Sequence, residues 1–249
     1  MTKHLADYGK VLDIKWKPMA DKYHRNNPNS YVQREGETSG VVHLVRCWHG
    51  VGRPVSLILI VLGNFVTVFQ DLDMVVSKDM IKSGKAFSQT IQLLEELQVF
   101  SESMNAFLAH IDPAQHECLK AARALAEEKY PYVKMMDSLD PLLMEGRAIM
   151  WNRLMPDHRD HRDPKVAWAA FVVLGHTKSG WLFFQQLNLR VRYQPGDVVW
   201  LQGAILDHEV EVWEGEQRIS IAQFMHKSYF KDLGLVCVTS PGVVPMNPP

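Results

Sequence analysis

The stretch HEVEVWEGEQRISIAQFMH, residues 208–226, holds two runs that alternate in polarity around a Glu-Gly-Glu break. Successive side chains of an extended chain point to opposite faces. In the first run His208, Val210 and Val212 share one face, while Glu209 and Glu211 share the other. That pattern predicts a half-buried strand with a histidine on its inward side. In the second run Arg218, Ser220, Ala222, Phe224 and His226 have one parity, so an extended chain lines them along one face. The same texture extends back to residue 145, through RAIMWNRLM, VAWAAFVVLG, WLFFQQLNLRVRY and DVVWLQGAIL, with breaks at HTKSG and QPGD. Short strands at this spacing predict a sandwich, jelly roll or barrel.

Upstream the period changes. Residues 78–139 read as helical, and Met104, Phe107, Leu108 and Ile111 follow helical spacing. Asp112-Pro113 with Gln115 is an N-cap signal for the helix that follows. Residues 41–69 read as strands with a tight turn at Gly63-Asn64. Residues 1–40 are polar and read as an irregular extension or arm, in which Lys15, Lys17, Lys22 and Arg25 are candidate nucleic-acid contacts. The expected fold class is therefore α+β: a double-stranded β-helix (jelly roll, cupin-like) core over about residues 145–230, with an N-terminal helical layer packed on it. The expected division is an arm at 1–40 and a single catalytic domain at 41–249.

Composition narrows the class. The chain has 249 residues, 47% hydrophobic, enough for a sizeable core. Cys47, Cys118 and Cys237 are odd in number and far apart. They form neither a disulfide framework nor a zinc spacing, which suits a reducing compartment. The most apolar run, 55–69, falls short of the ~20 residues a membrane span needs. The N-terminus has no apolar secretory segment. No membrane association and no obligate protein partner are expected. A formal net charge of −1 gives no electrostatic footprint of nucleic-acid binding, although a local basic groove can sit on a neutral protein.

Chemistry is concentrated in DHRDHRD, residues 157–163, where His-Arg-Asp occurs twice. A protein-kinase catalytic loop is ruled out: there is no Asp-Phe-Gly, and Gly50-Val-Gly52 lacks the third glycine of a phosphate loop. His-x-Asp is also half of the two-histidine, one-carboxylate facial triad of non-haem Fe(II) oxygenases. Alternate residues of an extended chain point the same way, so either copy supplies two ligands. His208 is the candidate third. Ten residues further on, Arg218 and Ser220 offer a guanidinium fork and a hydroxyl for a carboxylate. The ordered set fits Fe(II) plus 2-oxoglutarate.

With these residues in place, HRDHRDP and YQPGDVVWLQGAILDHEVEVWEGEQRISIAQFMHKS resemble the TET/JBP family of 2-oxoglutarate/Fe(II)-dependent nucleic-acid base dioxygenases, including its fungal and protist members. The resemblance covers residues 145–230. It implies that the first triplet supplies the metal ligands His158 and Asp160, completed by His208. It implies that Arg218 binds the distal carboxylate of 2-oxoglutarate, assisted by Ser220, and that Arg153 approaches the cosubstrate. It assigns Asp163 to the flipped base, Phe224 to stacking on it and His226 to hydrogen-bonding with it. His161 is then a solvated neighbour.

The cofactors implied are Fe(II), 2-oxoglutarate and O₂. The implied reaction oxidises the methyl group of a methylated base in DNA after base flipping, which costs a few kcal/mol of unstacking. 5-Methylcytosine is the first choice of substrate and N6-methyladenine the second. A nuclear location follows from that substrate. Two other readings compete: a hydroxylase of the same chemistry acting on a protein side chain or small molecule, and a non-catalytic jelly-roll binding module. Lys178, Arg190, Arg192 and Lys227 are candidate phosphate contacts. Trp48, Trp151, Trp168, Trp181, Trp200 and Trp213 are expected mostly in the core.

Overall fold

The computed structural model describes residues 1–11, 30–48, 60–62, 65–67 and 74–236. The candidate contacts Lys15, Lys17, Lys22 and Arg25, and Cys237, lie outside them.

The first helix, α1 (Thr2–Val11), departs from the irregular arm expected of residues 1–40. Leu5 and Tyr8 stand three residues apart, so they share one helical side and both are buried. The indole of Trp151 donates to Leu5 O at 3.2 Å, and the Tyr8 ring stacks on it. Two buried apolar side chains contribute about 1.5–3 kcal/mol each, enough to dock a short polar helix.

After α1 come β1 (Gly40–Val45) and the pair β2 (Ile60–Leu62) and β3 (Phe65–Thr67). Leu62 stands opposite Phe65, the register of a two-residue hairpin. The Gly63-Asn64 turn itself lies outside the described residues. The helical layer is α2 (Lys78–Ile81), α3 (Gly84–Glu96), α4 (Gln98–Ile111), α5 (Pro113–Lys129) and α6 (Pro131–Leu139). The cap at Asp112 is as expected: its Oδ1 accepts from Gln115 N at 2.9 Å, and Pro113 opens the helix. On α4, Met104 and Leu108 are buried, but Phe107 and Ile111 are exposed.

The remaining strands are β4 (Gly146–Trp151), β5 (Met155–His158), β6 (Ala169–Thr177), β7 (Trp181–Phe184), β8 (Leu189–Arg192), β9 (Val198–Leu201), β10 (His208–Val210) and β11 (Gly215–Phe224), followed by α7 (Lys227–Asp232). They form an antiparallel five-stranded sheet, β1-β4-β11-β6-β9, and an antiparallel four-stranded sheet, β5-β10-β7-β8. From β4 onward the chain passes back and forth between the two, with β7 and β8 entering as a hairpin. That threading is an α+β jelly roll, as the strand spacing predicts. One run expected as a strand, WLFFQQLNLRVRY, is in fact this hairpin. A 3-10 turn at Gln185–Leu187 and a left-handed Asn188 (φ 46°) reverse it.

Each strand of the larger sheet divides its side chains between two cores. Ile149, Trp151, Ala170, Val172, Ile219 and Ile221 pack against the helices. Phe171 and Val173 face the smaller sheet, with Leu182, Phe184, Tyr193 and Leu201. Ala148, Met150 and Ala222 line the same inner face near Phe224. The parity of Ala222 therefore puts Arg218, Ser220 and Phe224 between the sheets.

Between helices and sheet lies a buried ionic cluster. Asp140 accepts from Arg147 Nη2 at 2.9 and 3.1 Å and lies 3.4 Å from Arg46 Nη2. Arg46 and Arg123 also donate to Leu142 O at 2.7 and 2.6 Å, so the link into β4 is pinned from both sides. Despite its burial, Asp140 is held below the usual carboxylate range by Arg147 and Arg46.

Candidate metal centre and substrate mouth

His158 ends β5 and His208 opens β10, and these two residues stand opposite each other across the ladder. Their rings lie 4.3 Å apart, centroid to centroid. Asp160 sits two residues past the end of β5, anchored by its backbone N–H to Gly203 O at 2.9 Å. Its Oδ1 is 3.8 Å from His158 Nε2 and its Oδ2 is 3.8 Å from His208 Nε2. Ligand atoms of the three residues lie within 4.8 Å of one another. The distal nitrogens are fixed by the opposite edge of each ring. His158 Nδ1 bonds Pro156 O at 2.9 Å, and His208 Nδ1 bonds Leu206 O at 3.0 Å. A carbonyl only accepts, so Nδ1 carries the proton and Nε2 presents a lone pair.

Burial, reinforced by the neighbouring His158, holds His208 below the ordinary imidazole pKa, favouring the neutral ring that binds metal. His208 Nε2 is buried and has no hydrogen-bond partner among the described residues. An orphaned lone pair facing a carboxylate and a second imidazole fits a divalent cation, and two histidines with one carboxylate are an iron-type donor set. Gly203 makes room for it: a Cβ there would overlap Asp160 Oδ2 and lie 3.2 Å from its Cγ.

Solved structures that resemble this chain in part include the following three. NgTET1 in complex with 5mC DNA is 24% identical over 37% of this chain and 38% of its own, with a TM-score of 0.34. A Cupin 2 conserved barrel domain protein from Salinispora arenicola is 16% identical over 35% of this chain and 68% of its own, with a TM-score of 0.25. OsALKBH1 is 12% identical over 44% of this chain and 60% of its own, with a TM-score of 0.25. The matched segment thus spans well under half the length of the NgTET1 chain. No family model matches the chain, and no curated protein matches it.

Of the repeated triplets, the first joins the cluster. His161 is exposed, and its carbonyl accepts from Lys227 Nζ at 3.0 Å. Asp163 is buried, with its N–H donating to Asp160 O at 2.9 Å. Burial, with the negative charges of Asp160 and Glu145 added, pushes its carboxyl up to about 9. The loop is clamped at both ends. Arg159 pairs with Asp207, and Lys227 N donates to Arg162 O at 2.9 Å.

Arg218 is buried on the inner face of β11. Its Nη1 donates to Ser220 Oγ, so the two expected carboxylate ligands touch each other. Its guanidinium lies over the rings of Tyr193 and Trp213, at 5.3 and 5.1 Å. Asn152, at φ 50°, clasps the Arg218 backbone in both directions at 2.9 Å. Arg153 contacts Met155 Sδ at 3.1 Å and Tyr31 OH at 3.4 Å, and Met155 packs beside Phe224 on the inner face.

Phe224 and His226 meet at a ring distance of 4.9 Å. β11 ends at Phe224, but His226 keeps an extended backbone and so stays on the expected face. Sequence reasoning missed what holds it. The buried Glu145 accepts from His226 N at 2.7 Å and from Nδ1 at 2.8 Å, and Trp48 lies edge-on to the ring. Glu145, Gly203 and Asn152 carry no motif of their own. Trp213 is core, as expected, but that core is the wall against Arg218. Trp181 instead is exposed, with Arg190 over its ring. Arg190 pairs with Glu211, which occupies one of the candidate phosphate contacts.

Proposed function

We propose that the protein is an Fe(II)- and 2-oxoglutarate-dependent dioxygenase that oxidises the methyl group of a methylated base in DNA, 5-methylcytosine first. The observation that carries this reading is the convergence of Asp160 Oδ1 and Oδ2 on the free Nε2 atoms of His158 and His208, in a jelly roll whose inner face also carries a buried Arg218. His158, Asp160 and His208 would hold the iron, which when bound supplies the oxidising power for an unactivated C–H bond. Arg218, held by Ser220, takes the distal carboxylate of 2-oxoglutarate. Arg153, beside Tyr31 and Met155, would approach the cosubstrate from the edge of the same face.

The base site of this reading is Phe224 for stacking, His226 for an edge contact, and Asp163 for a polar contact with the base. Glu145 fixes the His226 ring, and the clamped 158–163 loop fixes Asp163. The DNA partner and a nuclear location follow from the substrate. The same chemistry on N6-methyladenine would end in loss of the methyl as formaldehyde. Hydroxylation of a protein side chain or small molecule is the second reading, favoured by the net charge of −1.

The test is succinate formation with 2-oxoglutarate, Fe(II) and duplexes carrying either methylated base, with product nucleosides identified by mass spectrometry. Turnover dependent on 5-methylcytosine is expected. Inactivity on both duplexes would overturn the DNA reading, and duplex binding that does not weaken as salt rises would favour the second.

A further inference from the structure

Three buried donors on or beside the larger sheet lack a partner among the described residues: Arg218 Nη2, Trp213 Nε1 and Thr177 Oγ1. Each such group costs about 1–3 kcal/mol when left unmet. Their placement follows from the strand register. Arg218 stands directly opposite Gly175 on β6, and Thr177 lies two residues along the same strand, hence on the same inner face. Gly175 has φ +108°, and a Cβ there would overlap Gln217 O, so the position beside the guanidinium carries no side chain. The Trp213 ring covers one aspect of the guanidinium and the Tyr193 ring another. No carboxylate pairs with Arg218 among the described residues, although its charge is buried and burial lowers its pKa.

Buried charges are ordinarily paired. An indole N–H only donates, a guanidinium only donates, and a threonine hydroxyl can donate. Three donors around one uncompensated cation call for an acceptor-only anion. A carboxylate, with about four lone-pair directions, satisfies all three at once.

We infer that Trp213 Nε1 and Thr177 Oγ1 bind the same carboxylate as Arg218 Nη2, forming a three-donor seat in which Ser220 serves to orient the guanidinium. Trp213 is thereby a ligand-binding residue as well as a core one. This rests on the 2-oxoglutarate reading above and adds which side chains hold the end remote from the metal.

The test is calorimetric titration of succinate and of 2-oxoglutarate into the Mn(II)-loaded protein, for the wild type, Trp213→Phe, Thr177→Val and the double variant. Phenylalanine stays aromatic but is smaller than the indole, so Trp213→Phe deletes the donor together with some ring volume, whereas valine keeps the shape of threonine and deletes only the hydroxyl. Each single variant is expected to bind both dicarboxylates about tenfold more weakly, in keeping with a charge-assisted bond. Mn(II) affinity should not fall in either single variant, and the ligand-free melting temperature should not fall in Thr177→Val. Succinate has no keto group to chelate a metal, so its loss reports the carboxylate seat alone. Wild-type binding with unchanged affinity in both single variants would overturn this inference and leave the 2-oxoglutarate reading standing. A wild type that binds neither dicarboxylate would overturn both.

Discussion

Gly203 and Asp160 are in mutual contact at the candidate metal centre: the glycine carbonyl accepts the Asp160 amide at 2.9 Å, and the aspartate carboxylate fills the place a Cβ would take. Gly203→Ala should therefore push Oδ2 off its line to His208. The expected result is a 10–100-fold loss of metal affinity, the usual scale for a disturbed ligand-supporting contact. Competition titration with a chelator measures it. Unchanged affinity would mean that the carboxylate relaxes freely and that the glycine is incidental.

The repeated triplets make opposed predictions. Asp160→Ala should abolish both metal retention and succinate formation. His161→Ala should leave both within about twofold, as for a surface change. Metal analysis of the purified variants decides it, and a metal-free His161→Ala would mean the second triplet holds the ion.

Asp163→Ala and Phe224→Ala should keep the metal and the 2-oxoglutarate affinity while turnover on a methylated duplex falls. Asp163 bonds the ligand loop through its backbone, and that bond survives the substitution. A loss of succinate formation that is equal with and without DNA would show that these residues serve the metal half instead.

The ionic cluster predicts stability. Asp140→Ala leaves the buried guanidinium groups of Arg46 and Arg147 without their carboxylate. Breaking a buried pair from one side costs about 3–5 kcal/mol. Urea unfolding should show that loss at an unchanged m-value. A loss under about 1 kcal/mol would mean that the carbonyls of residues 142–144 suffice to hold the arginines.

Cys47 gives the pH-dependent case. Burial, together with the negative charge of Glu145, pushes its thiol up to about 12. The folded pKa lies above the ordinary thiol value of about 8.5, so this group's contribution is complete below that value and is lost as pH rises towards 12. Native protein treated with iodoacetamide at pH 8 should show no label on the Cys47 peptide by mass spectrometry, and unfolded protein should show full labelling.

How far the chain could be read in advance depended on whether a feature repeats along it. Alternation placed Arg218, Ser220, Ala222 and Phe224 on one face, because β11 is a regular strand beyond its bulge. The His158, Asp160 and His208 set was legible because ligand chemistry restricts residue type. The Asp112 cap was legible because its partner is three residues away. What escaped depends on distant partners. Glu145 meets His226 across 81 residues, and Leu5 meets Trp151 across 146. No local period announces either. The Asn188 reversal was hidden because apolar residues continue on both sides of it.

The order of strands in the larger sheet, β1-β4-β11-β6-β9, has a consequence for biosynthesis. β11 is the last described strand to leave a ribosome, yet it occupies the middle of that sheet. Until it arrives, β4 and β6 face each other across a vacant slot, with two ladders of amide groups unpaired. Pairings this distant in sequence form slowly. The nascent chain would already carry His158, Asp160 and His208, but the surface that must back them would be missing. If the proposed centre holds iron, its capture is expected to be a late event, coupled to insertion of one strand, and a chain cut before residue 215 should emerge unable to hold the metal at all.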